Sequence, residues 1–328
     1  MNQPKVINVS KLNMNSEIKK IEKRLEQSLI SNDKVLEDAS YHLFSSGGKR
    51  VRPAFVILSS QFGKEMNEDV YRVAVALELI HMATLVHDDV VDKSDKRRGS
   101  LTIAKKWDQN TAILAGNFLL ASALEHISSI EDNRIHSVIS NAIVEVCMGE
   151  LFQFQDQFNG YQTITSYLRR INRKTALLIQ LSTEVGAIAS GADLKTVHNL
   201  KMIGHYIGMS FQIVDDILDF TSTEKKLGKP VGSDLMNGHI TLPVLLEMRK
   251  HPEFKAQIQQ LTPDTDQETF DYCIQRIQSS DVIQESQVIS DKYLEKALNL
   301  LDQLESEAAK PLFKKLIKKS GEKKFIIT

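Results

Sequence analysis

The sequence predicts an all-α protein built as one large helical bundle, and three observations carry that reading. Apolar residues recur at helical spacing along most of the chain, with no set of alternating strands. Only 7 prolines and 15 glycines punctuate 328 residues. Two long apolar helical runs each end in a cluster of carboxylates, Asp88-Asp89-x-x-Asp92 and Asp215-Asp216-x-x-Asp219.

The elements follow in order. Ile18, Ile21, Leu25 and Leu29 recur every three or four residues between Glu and Lys, which marks an amphipathic first helix. Asn67-Glu68-Asp69 supplies a capping side chain and first-turn acids for the helix that carries the first aspartates. Further helices are expected over 107–127, 135–158, 166–189 and 194–220, separated by turns containing Asp, Asn or Gly. No Pro/Gly/Ser-rich linker divides the chain, so residues 1–328 read as a single domain.

Composition excludes several classes. With 41 Lys+Arg against 42 Asp+Glu, the chain lacks the basic excess of a nucleic-acid binder, and the Lys-rich segment 314–324 reads as a solvated face. Cys147 and Cys273 lack metal-ligand spacing and read as reduced thiols. No secretory signal and no membrane span of about 20 uninterrupted apolar residues is evident, so a cytoplasmic protein is expected.

The chemistry lies in the charged residues. Asp88 and Asp92 stand four apart, which stacks them on one helix face. Carboxylates ending a buried helix need a positive partner, because desolvating a lone charge costs several kcal/mol or more. A single such motif is weak evidence, since acidic helix ends are common. Two copies facing one cavity would form an oxygen-rich seat suited to Mg²⁺. Gly47-Gly48-Lys49-Arg50-Val51-Arg52-Pro53 sets cations at a helix start, either an anion site or a solvated basic turn. Lys93 to Gly99 contains adjacent Arg97 and Arg98, whose planar forks suit phosphate. Lys174-Thr175 and Lys229 add two more cationic points, and Lys174 taken alone reads as a surface lysine.

Taken together, these motifs, with Gly149-Glu150, Phe211-Gln212, Gly228-Lys229-Pro230 and the Gly-x-Ile-Thr-Leu-Pro segment at 238–243, resemble the trans-isoprenyl diphosphate synthases, the polyprenyl synthetase family. The resemblance covers nearly the whole chain and implies an isoprenoid synthase type of fold, with helices around a central apolar cavity and both aspartate motifs at its mouth. It implies Mg²⁺ held by Asp88, Asp89, Asp92, Asp215 and Asp219, with Asp88, Asp92, Lys174 and Asp215 carrying catalysis. Arg97, Lys174, Thr175, Gln212 and Lys229 match positions contacting an allylic diphosphate. Lys49, Arg52, His81 and Arg98 match positions contacting isopentenyl diphosphate, although a histidine on an apolar helix is more often an ordinary core residue.

The same resemblance bears on product length. Ala83 and Thr84, one turn before Asp88, are small where short-chain members place aromatic rings, and Ile80, Leu77 and Ala76 continue the wall. A hexaprenyl or heptaprenyl synthase for quinone side chains is therefore expected, ahead of geranylgeranyl or octaprenyl synthesis. His239 stands where many short-chain relatives carry lysine. A non-catalytic scaffold subunit would not need facing carboxylates, and a terpene cyclase would not need Lys49, Arg52 and Arg98. The resemblance also implies a homodimer, or a heterodimer with a small partner subunit.

Overall fold

A computed structural model describes residues 12–223, 230–306 and 309–321. The chain runs α1 (Met14–Ser28), α2 (Lys34–Ser45), α3 (Val51–Ser60) and α4 (Glu68–Val91), then a hairpin of β1 (Lys96–Arg97) and β2 (Ser100–Leu101). It continues through α5 (Ile103–Lys106), α6 (Gln109–Ser128), α7 (Asn133–Gln155), α8 (Ile164–Ile171), a π-helical turn (Asn172–Ala176), α9 (Leu177–Ala189) and α10 (Leu194–Thr221). The remainder is α11 (Ser233–Met236), α12 (Leu242–Lys250), α13 (Pro252–Ile258), α14 (Gln267–Ser279), α15 (Val282–Asp302) and α16 (Ala309–Gly321). The all-α expectation holds.

Side-chain caps fix the long helices. Asn67 accepts from Val70 N at the start of α4, Asp108 from Thr111 N at α6, and Asp193 from Lys195 N and Thr196 N at α10. Replacing such a cap by alanine typically costs about 1 kcal/mol. α4 is buried along almost its whole length, from Val70 to Val86, as its apolar run requires. One large core gathers α1 to α4 with α6, α7, α9 and the first half of α10. A second core lies among α8, α11 to α14 and the latter half of α10, which therefore runs through both.

Two local features depart from the expected elements. Residues 166–189 do not form one regular helix, because the π-helical turn interrupts it and shifts the facing of Lys174 and Thr175. Between the first aspartates and α5 the chain forms a two-residue antiparallel hairpin, turned by Arg98 and Gly99 at φ +53° and +84°. That turn carries Arg97 back over the end of α4.

Candidate active site

A cleft of about 690 Å³ opens between the end of α4, the π-helical turn, α10 and the 234–241 segment. Asp92 and Arg97 line it from one side, Lys174 and Thr175 from another, and Gln212, Asp215 and Asp216 from α10. The structure thus brings both aspartate motifs to one space.

Lys174 reaches this space because α7 and the π-helical turn touch. A Cβ built on Gly149 would fall 2.9 Å from Arg173 Cβ and 3.2 Å from Lys174 N, so only glycine lets the backbones approach this closely. Lys174 Nζ then donates to Glu150 Oε2 at 3.0 Å and stands 3.9 Å from Asp88 Oδ2. One ammonium faces several carboxylates. Burial pushes the Asp88 carboxyl up to about 7, Lys174 opposes the rise, and Glu150 and Asp92 add to it. Such an excess of negative charge is what a divalent cation would relieve. Among the described residues no three His, Cys, Asp or Glu side chains converge to hold a metal alone. Carboxylate oxygens such as those of Asp88 and Asp92 suit a hard ion that completes its shell with water and phosphate oxygens, as Mg²⁺ does.

The five carboxylates assigned to metal by resemblance do not share one environment. Asp89 is only 4% exposed and is held by Arg97, with Nε at 2.8 and 2.9 Å from its two oxygens and Nη2 at 2.7 Å. It lies off the cleft, against α2 and the hairpin. Asp219 is buried too, accepting from Ser233 Oγ at 3.0 Å and Asp234 N at 3.1 Å, while its carbonyl accepts from Gly232 N. The oxygens of both carboxylates are engaged in fixing the hairpin and the segment before α11. Asp92 and Asp215 line the cleft, and Asp88 faces Lys174 at its edge. Asp216, not among the assigned ligands, is buried, and its carboxyl is pushed up to about 7 by burial and by Asp234. Thr175 Oγ1 donates to Gln212 Oε1 at 2.7 Å, and Gln212 Nε2 donates to Asp216 Oδ1 at 2.8 Å. Lys229 lies outside the described residues.

A second positively charged cluster forms behind the first motif. Burial draws the Arg52 guanidinium down to about 10, Glu78 opposes that, and Arg98 reinforces it. Burial and the neighbouring Arg52, Arg98, Arg97 and Arg50 hold the His81 imidazole well below its ordinary value, so it is neutral at physiological pH. A Cβ on Gly48 would lie 2.8 Å from Arg98 Nη1 and 2.9 Å from Arg50 Nη1, so the glycine admits two guanidiniums over the backbone. Lys49 is exposed beside them. Sequence reasoning missed Arg50 and Glu78. Arg50, at φ +46°, turns inward to Glu78 Oε1 at 3.1 Å and stacks on Phe44. The signal was a single glutamate inside the apolar run of α4. His239 lines the first cleft, where burial lowers its imidazole and Asp234 opposes the shift, so a lysine's fixed charge is replaced by a neutral ring.

The comparisons with known proteins agree with this geometry. The model of the polyprenyl synthetase family matches residues 33–277. The chain belongs to the polyprenyl synthetase family. It is a prenyltransferase of the kind that elongates allylic diphosphates with isopentenyl diphosphate. It is 47% identical over 312 residues to heptaprenyl diphosphate synthase component 2 of Bacillus subtilis, covering 95% of this chain and 89% of that protein. The crystal structure of heptaprenyl diphosphate synthase from Staphylococcus aureus superposes with a TM-score of 0.94 at 70% identity, covering 95% and 99% of the two chains. A decaprenyl diphosphate synthase from Rhodobacter capsulatus matches with a TM-score of 0.89 at 26% identity, covering 94% and 97%.

Proposed function

We propose that this polyprenyl synthetase extends an allylic primer, farnesyl diphosphate, with isopentenyl diphosphate to an all-trans product of heptaprenyl length. The observation that carries the reading is the cleft shared by Asp92, Asp215 and Lys174 beside a separate arginine cluster, which supplies two diphosphate seats rather than one. Arg97, Lys174 and Gln212, with Lys229, would hold the allylic diphosphate, and Thr175 would support Gln212. Lys49, Arg52, Arg98 and neutral His81 would hold isopentenyl diphosphate. Asp88, Asp92 and Asp215 would hold Mg²⁺, whose charge, once bound, stabilises the departing diphosphate.

Lys174 and Arg97 stabilise the negative charge that develops as the allylic C–O bond breaks and its electron pair leaves with the diphosphate. The double bond of isopentenyl diphosphate then forms a new C–C bond to the allylic carbocation, and loss of one proton leaves a new trans double bond. The apolar wall below the cleft excludes water from the cation. Ala83 is buried one turn before Asp88, and Thr84 Oγ1 is tied to the His81 carbonyl at 2.8 Å, so neither side chain closes that wall with a ring.

The relatives named component 2 imply a partner subunit for those proteins. Here α7 is long and apolar, yet only 28% of its most apolar window is buried, with Val144, Met148, Leu151 and Phe154 exposed. On α6, Ile113, Leu114 and Leu124 are exposed as well. An apolar face of this kind favours an oligomer closed by a second prenyl-synthase chain. The test is labelled isopentenyl diphosphate with farnesyl diphosphate and Mg²⁺, with product length read by chromatography and mass by light scattering. A heptaprenyl product from an oligomer is expected. A product no longer than geranylgeranyl would overturn the chain-length assignment, and an active monomer the oligomer.

A further inference from the structure

Tyr167 of α8 is fully buried, and its hydroxyl donates to Asp216 Oδ2 at 2.6 Å. The other Asp216 oxygen accepts from Gln212 Nε2 at 2.8 Å, and Gln212 Oε1 accepts from the Thr175 hydroxyl at 2.7 Å. The chain of bonds ties α8, α10 and the π-helical turn together along one wall of the cleft.

The direction of these bonds is set at one end. In the structure Gln212 turns Nε2 toward Asp216 and Oε1 toward Thr175, the orientation that an accepting carboxylate oxygen favours. The reversed amide would oppose two acceptors and leave the Thr175 hydroxyl without its acceptor. Nε2 carries two hydrogens, and Gln212 takes no further partner among the described residues. The second hydrogen is therefore free for an acceptor in the cleft, while the Thr175 hydrogen is committed to Oε1.

We infer that Tyr167 and Asp216 are positioning residues for the allylic substrate: they fix the orientation of the Gln212 amide so that it presents an N–H, not a carbonyl, to the diphosphate. Tyr167 pins one carboxylate oxygen and leaves the other aimed at Gln212. This rests on the reading that Gln212 contacts the allylic diphosphate. It assigns Asp216 a role apart from cation binding, although it neighbours Asp215 in sequence.

The test is a double-mutant cycle on KM for farnesyl diphosphate, with KM for isopentenyl diphosphate as the internal control. Tyr167→Phe removes one hydroxyl and should raise the allylic KM by about fivefold, the worth of one hydrogen bond, with the isopentenyl KM within about twofold. Asp216→Asn, which can offer an N–H to Gln212 and turn its amide around, should act in the same direction. In a Gln212→Leu background Tyr167→Phe should add less than about twofold, because the residue it acts through is gone. Equal effects of Tyr167→Phe in both backgrounds, or parallel increases in both KM values, would overturn the inference and leave Gln212 as a ligand. An unchanged allylic KM in Gln212→Leu would overturn the ligand assignment and the inference with it.

Discussion

The two aspartate motifs are alike in sequence and unlike in how the fold uses them. In the first, the second carboxylate is neutralised by a cation: Arg97, returned by a hairpin, grips both oxygens of Asp89. In the second, the corresponding Asp216 is held by a phenol and an amide, and the last carboxylate, Asp219, fixes a loop. Each motif spends part of its charge on architecture. The difference teaches that repetition of a motif marks where cation-binding carboxylates lie but not which members are available, since that depends on the donors the fold brings to each.

The largest effect should come from the carboxylates proposed to hold the cation. Asp88→Ala or Asp215→Ala is expected to lower kcat by about 10³-fold with circular dichroism unchanged, because stabilisation of the leaving group is lost. Near-normal turnover at limiting Mg²⁺ would break the division between cation-holding and fold-holding carboxylates.

A smaller effect, and one that separates the two inner aspartates, concerns their partners. Arg97→Met strands buried Asp89 and should cost about 2 kcal/mol of stability at pH 8, less than a fully buried pair because Arg97 is partly exposed. Burial already raises the Asp89 carboxyl and Arg97 opposes that rise, so the variant's folded value moves further above the unfolded one. The deficit is then greatest above that raised value and shrinks as pH falls through it. Thermal unfolding of variant and parent at pH 5 and pH 8 measures this. Tyr167→Phe removes the hydroxyl that opposes the rise of the Asp216 carboxyl, so its smaller deficit should likewise be greater at pH 8 than at pH 5.

Below the first motif, Ala83→Tyr should leave most turnover intact but shorten the main product, because a ring one turn from Asp88 blocks the path of the tail. An unchanged product ladder would place the tail along another wall. Smaller again, Leu151→Glu together with Phe154→Glu should lower the mass measured by light scattering and leave the cleft side chains in place, since both residues lie on the exposed face of α7.

Much of this was legible in the sequence. That Asp88, Asp92 and Asp215 sit at the ends of apolar helices could be read from spacing and from the runs before them, since helix geometry is local. The partners of Asp89 and Asp219 could not, because they depend on a turn at Arg98 and Gly99 and on the approach of Ser233 from another element. The π-helical turn was illegible for a similar reason. It packs against Gly149 of α7, and no periodicity within 172–176 announces it. Arg50 belonged to a visible basic loop, yet only its left-handed backbone turns it inward to Glu78 and not toward solvent.

The central claim is that each motif divides into carboxylates that receive the cation and carboxylates that hold the fold. A Mg²⁺ titration of labelled isopentenyl diphosphate incorporation, run on Asp88→Asn, Asp215→Asn, Asp89→Asn and Asp219→Asn beside the parent, tests it most directly. The first two should lose about 10²-fold or more in turnover or require far more Mg²⁺ for half-maximal rate, while the last two keep the parent's Mg²⁺ requirement. The same shift in Mg²⁺ requirement in Asp89→Asn and Asp219→Asn would contradict the account.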